Sequence, residues 1–179
     1  MRLYTMSSPL PDTRTRILKA TLALLESGRG EGVRMSDIAK AAGITRQAVY
    51  LHFKTRAELL IATTHYLDEI KASNERLAPS RAAKTGRERL DAYVRAWAAY
   101  VPEVYGVARA LMAMQDSDAA AAEAWDTRMQ DMKEGCAAAI AALAADGRLA
   151  PGYTPELATD LGVPAPLVRH VARTLRTEW

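Results

Sequence analysis

Ser36-Asp-Ile-Ala-Lys-Ala-Ala-Gly-Ile-Thr-Arg-Gln-Ala-Val-Tyr-Leu-His-Phe53 is the stretch that decides the fold of this chain. Two short helices that cross closely need a small residue where they touch, and Ala39 supplies it. The tight turn between them needs a residue that tolerates positive φ, and Gly43 stands there. Ile38, Ala42, Ile44 and Val49 have the positions of a small core that holds the two helices at a fixed angle. This is the spacing of a helix-turn-helix, whose second helix enters the major groove of DNA. At about 100° per residue, Arg46, Gln47 and Tyr50 share roughly a third of that helix's circumference, away from Val49. Arg and Gln are also the side chains that contact guanine and adenine edges bidentately.

Working outward, residues 1–11 read as an arm, and Asp12 as the N-cap of a helix that runs to about Ser27 and stops at Gly28. Ile17, Leu18, Thr21, Leu22 and Leu25 form its buried stripe. Ser36 reads as the cap of the second helix and Thr45 as the cap of the third. Thr55 and Glu58 have capping-box spacing at the start of a fourth, expected to run to about Leu77 and end at Pro79. Pro79–Gly86 reads as a linker. Further helices are expected over 87–100, with a break at Pro102, and over 103–115. A long one, capped by Ser117 or Asp118, should reach Ala145 with an apolar seam from Trp125 through Met129, Met132, Cys136 and Ile140 to Leu143. Thr154-Pro155-Glu156 restarts the helix as N-cap followed by Pro.

Composition narrows the class. Of 179 residues, 49% are hydrophobic and 25% charged, which a folded globular chain has and a disordered one lacks. Ala supplies 35 residues and Phe only one, so the chain favours helix over strand throughout, and the expected fold is all-α. No run reaches the ~20 apolar residues of a membrane span, and the first residues lack the order of a secretory signal. The single cysteine, Cys136, forms no internal disulfide, so a cytoplasmic location is expected. Residues 1–60 carry 10 Lys/Arg against 5 Asp/Glu, net +5, whereas residues 61–179 carry 14 against 16, net −2. The positive charge therefore sits with the helix-turn-helix, where a polyanion would bind.

The segment from Gly43 to Leu60, with the amphipathic helix before it and the Ile38-Ala39 pair, resembles the signature of the TetR family of transcriptional regulators. The resemblance covers about residues 13–60; beyond it only the order of helices is similar. It implies an N-terminal three-helix DNA-binding domain, residues 1–56, followed by a helical domain, residues 57–179, that binds a small effector and forms a homodimer. It places Ser36, Tyr50, His52, Lys54 and Arg56 along the DNA backbone and Arg46 and Gln47 at the bases, with Thr45 also in the DNA-binding set. The residues alone leave other readings open: a partly buried core ring for Tyr50, a surface residue for His52, a solvated helix start for Lys54 and Arg56. The implied function is a repressor released from a palindromic double-stranded operator by a small molecule. The rival is a helical ligand-binding or adaptor protein without specific DNA readout.

Trp97, Tyr100, Tyr105, Met112, Trp125 and Met129 are the candidates for the effector cavity, although a stripe of this kind is also ordinary core. No cofactor, no metal site and no catalytic constellation is expected: His52, His65 and His170 lack ligand spacing, and no phosphate loop or nucleophile elbow is present. Cys136 lies on the apolar seam and reads as buried and inert. Family members end in two long helices that pair with a twin, whereas here Gly162, Pro164 and Pro166 interrupt the last stretch. A weak dimer through Leu157, Leu161, Val168, Val171 and Leu175 is therefore expected.

Overall fold

The computed structural model describes residues 12–27 and 33–162. The arm, the stop at Gly28 and the segment containing Val168, Val171 and Leu175 lie outside the described residues. Within them the chain forms α1 (Thr13–Glu26), α2 (Met35–Ala42), α3 (Arg46–His52), α4 (Arg56–Ile70), α5 (Ser73–Ala82), α6 (Gly86–Met114), α7 (Ala119–Ala145) and α8 (Pro155–Gly162). All regular structure there is α-helical, as the composition requires.

Local chemistry sets most helix starts. Asp12 caps α1 by accepting from the Thr15 amide at 2.7 Å. Thr45 caps α3 through the Ala48 amide, and Asp118 caps α7 through the amides of Ala120 and Ala121. Thr85 and Glu88 complete a capping box at α6. Thr55 caps α4 as expected, but Glu58 accepts from the Lys54 amide, one residue before the box position. Ser36 is not a cap. The second helix begins at Met35 after an extended Arg34, because burial of Val33 and Met35 draws the chain into the core before Ser36 is reached.

Both proline expectations need correction. The fourth helix ends at Ile70, where Ala72 takes a left-handed φ of 52°, and Pro79 lies inside α5 rather than in a linker. The turn at Ala72 lays α5 against α6, where Ser80 donates to the Arg89 carbonyl at 2.8 Å and Leu77 joins the core. Pro102 does not break the sixth helix, which is continuous over 29 residues. The carbonyl that loses its partner belongs to Ala98, which like Pro102 is exposed. Tyr93, Trp97 and Tyr100 before the proline and Val107, Leu111 and Met114 after it are all buried, so packing outweighs a local cost of about 3 kcal/mol.

One apolar cluster joins α1–α4 to the far ends of α6 and α7, through Ile17, Leu25, Ile38, Val49, Phe53, Leu59 and Leu60 together with Val107, Leu111, Ala121 and Ala124. A second, around Tyr93, Trp97, Tyr100, Met132, Cys136 and Ile140, holds α6 to α7. The two long helices approach very closely at Gly86, where a Cβ would lie 2.3 Å from the Leu143 Cα. The turn glycine Gly43 has φ +65°, the left-handed conformation that the helix-turn-helix needs.

Candidate nucleic-acid interface and internal cavity

Val49 and Phe53, both fully buried, pin α3 to the N-terminal core and turn its other face outward. Thr45, Arg46, Gln47, Tyr50, Leu51 and His52 are exposed, as are Ser36 on α2 and Lys54 in the turn before α4. Tyr50 is therefore a surface ring rather than a core one, at 39% exposure. The Arg46 guanidinium lies 5.6 Å over the Tyr50 ring and donates to its hydroxyl at 3.3 Å. At rest the two residues form a compact exposed unit on the outer face of the helix. This is a row of donors and acceptors on one helix of the width that a major groove admits.

Arg56, expected on the DNA backbone, also makes contacts within the protein. Its Nε donates to the Val33 carbonyl at 2.6 Å, and its Nη1 pairs with the Asp118 carboxylate at the start of α7. Nη2 is buried and makes no hydrogen bond among the described residues. The side chain is thus a strut between the loop before α2, the start of α4 and the N-terminus of α7. Burial raises the Asp118 carboxyl, but the hydrogen bond and charge of Arg56 and the amides of Ala121 and Ala120 outweigh it and hold the group below its ordinary range. Arg56 still borders a concavity shared with Arg34, Ser36, Arg46 and Tyr50, where Asp118 offsets its charge.

Between α4, α5, α6 and α7 lies a cavity of about 330 Å³ lined by Trp97 and Tyr100, two of the residues expected there. Its floor is an ionic cluster: Tyr100 donates to Asp68, and Arg128 spans both Asp68 oxygens at 2.9 and 2.8 Å. Burial, then the hydrogen bond to Asp68 and its charge, push the Tyr100 hydroxyl well above the usual tyrosine range. The remaining candidates fall elsewhere. Trp125 lines a separate space of about 40 Å³, Met129 packs against the second core, and Tyr105 and Met112 are half-buried and line none of these spaces. Cys136 is buried, and burial raises its thiol.

Reading by apolar periodicity passed over the polar half of the cavity: His65, Asp68, Glu69, Arg76, Arg128 and Asp131. One signal was legible. Arg128 stands three residues after Trp125 and four before Met132, so it is a charge on the apolar face of α7. No group of three His, Cys, Asp or Glu among the described residues could hold a metal ion, and no described helix is long and apolar enough to cross a membrane.

Residues 17–63 match the family described as "Bacterial regulatory proteins, tetR family". Among curated proteins, the chain is 38% identical over 69 residues to the HTH-type transcriptional regulator CymR of Pseudomonas putida, a match covering 37% of this chain and 34% of that protein. It is 33% identical over 64 residues to the nucleoid occlusion factor SlmA of a Marinomonas species, covering 36% and 32% respectively. The matched stretch thus spans about a third of each of these relatives. The whole architecture is similar to the crystal structure of a TetR-family transcriptional regulator from Rhodococcus sp., with a TM-score of 0.71 at 24% identity over 93% of this chain and 89% of that one.

Proposed function

We propose that this chain, whose residues 17–63 match the TetR family and whose helices follow a similar architecture, is a DNA-binding transcriptional regulator that a small molecule releases from a palindromic operator. The observation that carries the reading is the outward face of α3, where Arg46, Gln47 and Tyr50 stand exposed on a helix anchored by buried Val49 and Phe53. Arg46 and Gln47 read base edges. Ser36, Thr45, Tyr50, His52 and Lys54 hold the backbone, and Arg56 keeps the module in register with α7. Residues 1–56 carry the DNA-reading surface, and residues 57–179 carry the effector cavity and the dimer contact.

A single helix-turn-helix makes too few contacts to select one site in a genome, so the protein acts as a homodimer on two half-sites. Leu157 and Leu161, exposed on α8, supply part of the contact surface. An effector in the cavity bears on α4 through Asp68 and on α7 through Arg128. The same two helices meet again at the Arg56–Asp118 strut. A small displacement of α7 therefore alters the seating of the α3 module and the spacing of the two recognition helices.

Footprinting on the region upstream of the gene tests the reading. Arg46→Ala or Gln47→Ala is expected to cost about 1–3 kcal/mol on the specific site and to relax base preference. An unchanged footprint in both variants would remove α3 from the role of reader.

A further inference from the structure

The cavity between α4, α5, α6 and α7 has an uneven charge balance. Its lining holds three carboxylates, Asp68, Glu69 and Asp131, against two guanidinium groups, Arg76 and Arg128. The positive groups are committed. Arg128 is held on Asp68 at 2.9 and 2.8 Å, while Arg76 donates through Nη2 to Glu103 at 2.7 Å and through Nε to the Lys71 carbonyl at 2.9 Å. They also cover the aromatic faces: Arg128 lies 5.3 Å over Trp97, and Arg76 lies 5.7 Å over Tyr100. The negative groups are not all committed. Glu69 makes no ion pair among the described residues, and Asp131 comes no closer than 3.8 Å to Arg128.

An incoming anion would have to draw Arg128 from Asp68 and leave that carboxylate, 17% exposed, without its charge partner. Breaking such a pair is costly because the remaining charge is poorly solvated. An incoming cation leaves the Arg128–Asp68 pair in place and meets Glu69 and Asp131, two exposed carboxylates on the lining, of which only Asp131 touches Arg128, at 3.8 Å. Leu77, Ala96 and the rim of Trp97 offer apolar surface for a hydrocarbon body.

We propose that this cavity takes a small organic cation, an ammonium or amidinium group on a compact apolar body, and rejects carboxylates and phosphates. Glu69 and Asp131 hold the charge, while the Asp68–Arg128–Tyr100 cluster stays intact as the floor. The proposal rests on the reading of the chain as effector-responsive only in calling the occupant an effector.

Calorimetric titration of the whole protein, without DNA, with phenylbutylamine, phenylbutanol and phenylbutyrate at neutral pH tests it. These probes share one apolar body and differ in the charge of the head. The amine is expected to bind about tenfold more tightly than the alcohol, and the carboxylate to give no binding. Glu69→Gln and Asp131→Asn should each weaken the amine about three- to tenfold and leave the alcohol unchanged. Glu69 and Asp131 are both exposed, and a melting curve checks that each variant folds. Carboxylate binding as tight as that of the amine, no binding of the amine, or an amine affinity indifferent to both substitutions would overturn the proposal. Operator footprinting does not involve these ligands, so a failure here is distinct from a failure of DNA recognition.

Discussion

Arg56 and Lys54 stand two residues apart at the start of α4, and both are basic, yet the structure gives them different surroundings. Arg56 has side-chain exposure of 20% and bonds both Asp118 and the Val33 carbonyl, while Lys54 is exposed. Replacing Arg56 with Ala removes a charged hydrogen bond to a neutral carbonyl and an ion pair with a half-buried carboxylate. Each bond is worth about 1.5–3 kcal/mol in a dry setting, and partial solvation of the pair reduces its share, so about 2–4 kcal/mol of stability should be lost. With an m-value of about 2 kcal/mol per molar urea, the midpoint falls by about 1–2 M. Asp118→Asn keeps the cap of α7 but discards the charge, and should cost less, about 1 kcal/mol. On operator DNA, Lys54→Ala should flatten the salt dependence by about one unit with little change in stability. Arg56→Ala should leave that slope as it is. The assays are urea unfolding followed by circular dichroism and operator binding over a range of salt concentrations. If Arg56→Ala unfolds like the wild type and flattens the salt slope by a full unit, the strut is refuted and the phosphate role restored.

Gly86→Ala should destabilise the protein by about 1–3 kcal/mol despite the better helix propensity of Ala, because the new Cβ would lie 2.3 Å from the backbone of Leu143. A neutral or stabilising result in urea unfolding would mean that the two long helices are further apart. Burial, then the charge of Cys136, raises Tyr93 from 10.0 to about 12. Below pH 10 the residue is protonated in both folded and unfolded chains and its contribution is complete. Between pH 10 and 12 the unfolded chain ionises first, so stability should fall, and Tyr93→Phe should reduce that slope in unfolding measured across this range. Trp97→Ala should change the effector response while operator affinity stays within a few-fold, as followed by ligand titration and gel shift. An unaltered response would place Trp97 with the core alone. Sedimentation over a dilution series should show a dimer that dissociates at micromolar concentration without DNA, and a tight nanomolar dimer would point to another pairing surface.

The helix-turn-helix was legible because every device in it is local. Thr45, Gly43, Ala39 and Val49 act on neighbours within a few residues, so their spacing carries the geometry with it. The caps at Asp12 and Asp118 were readable for the same reason. Prolines misled because their cost is local while the opposing gain is not. Pro102 stays within a helix on account of Tyr93, Trp97 and Leu111 packing against distant partners, and sequence spacing does not show those partners. The start of α2 differed likewise, since burial of Met35 took precedence over the capping preference of Ser36.

By itself, the sequence determined the all-α class, the position of α3 and the identity of its outward residues. These follow from periodicity and from turn chemistry that acts over a few residues. Tertiary structure alone decided which basic side chain is free and which is consumed, because Asp118 lies 62 residues beyond Arg56. It also decided the polar half of the cavity, where Asp68 and Arg128, 60 residues apart, meet. Such pairs form when α4 and α7 are pressed together by apolar side chains that carry no information about charge. Nothing local to either partner records the encounter.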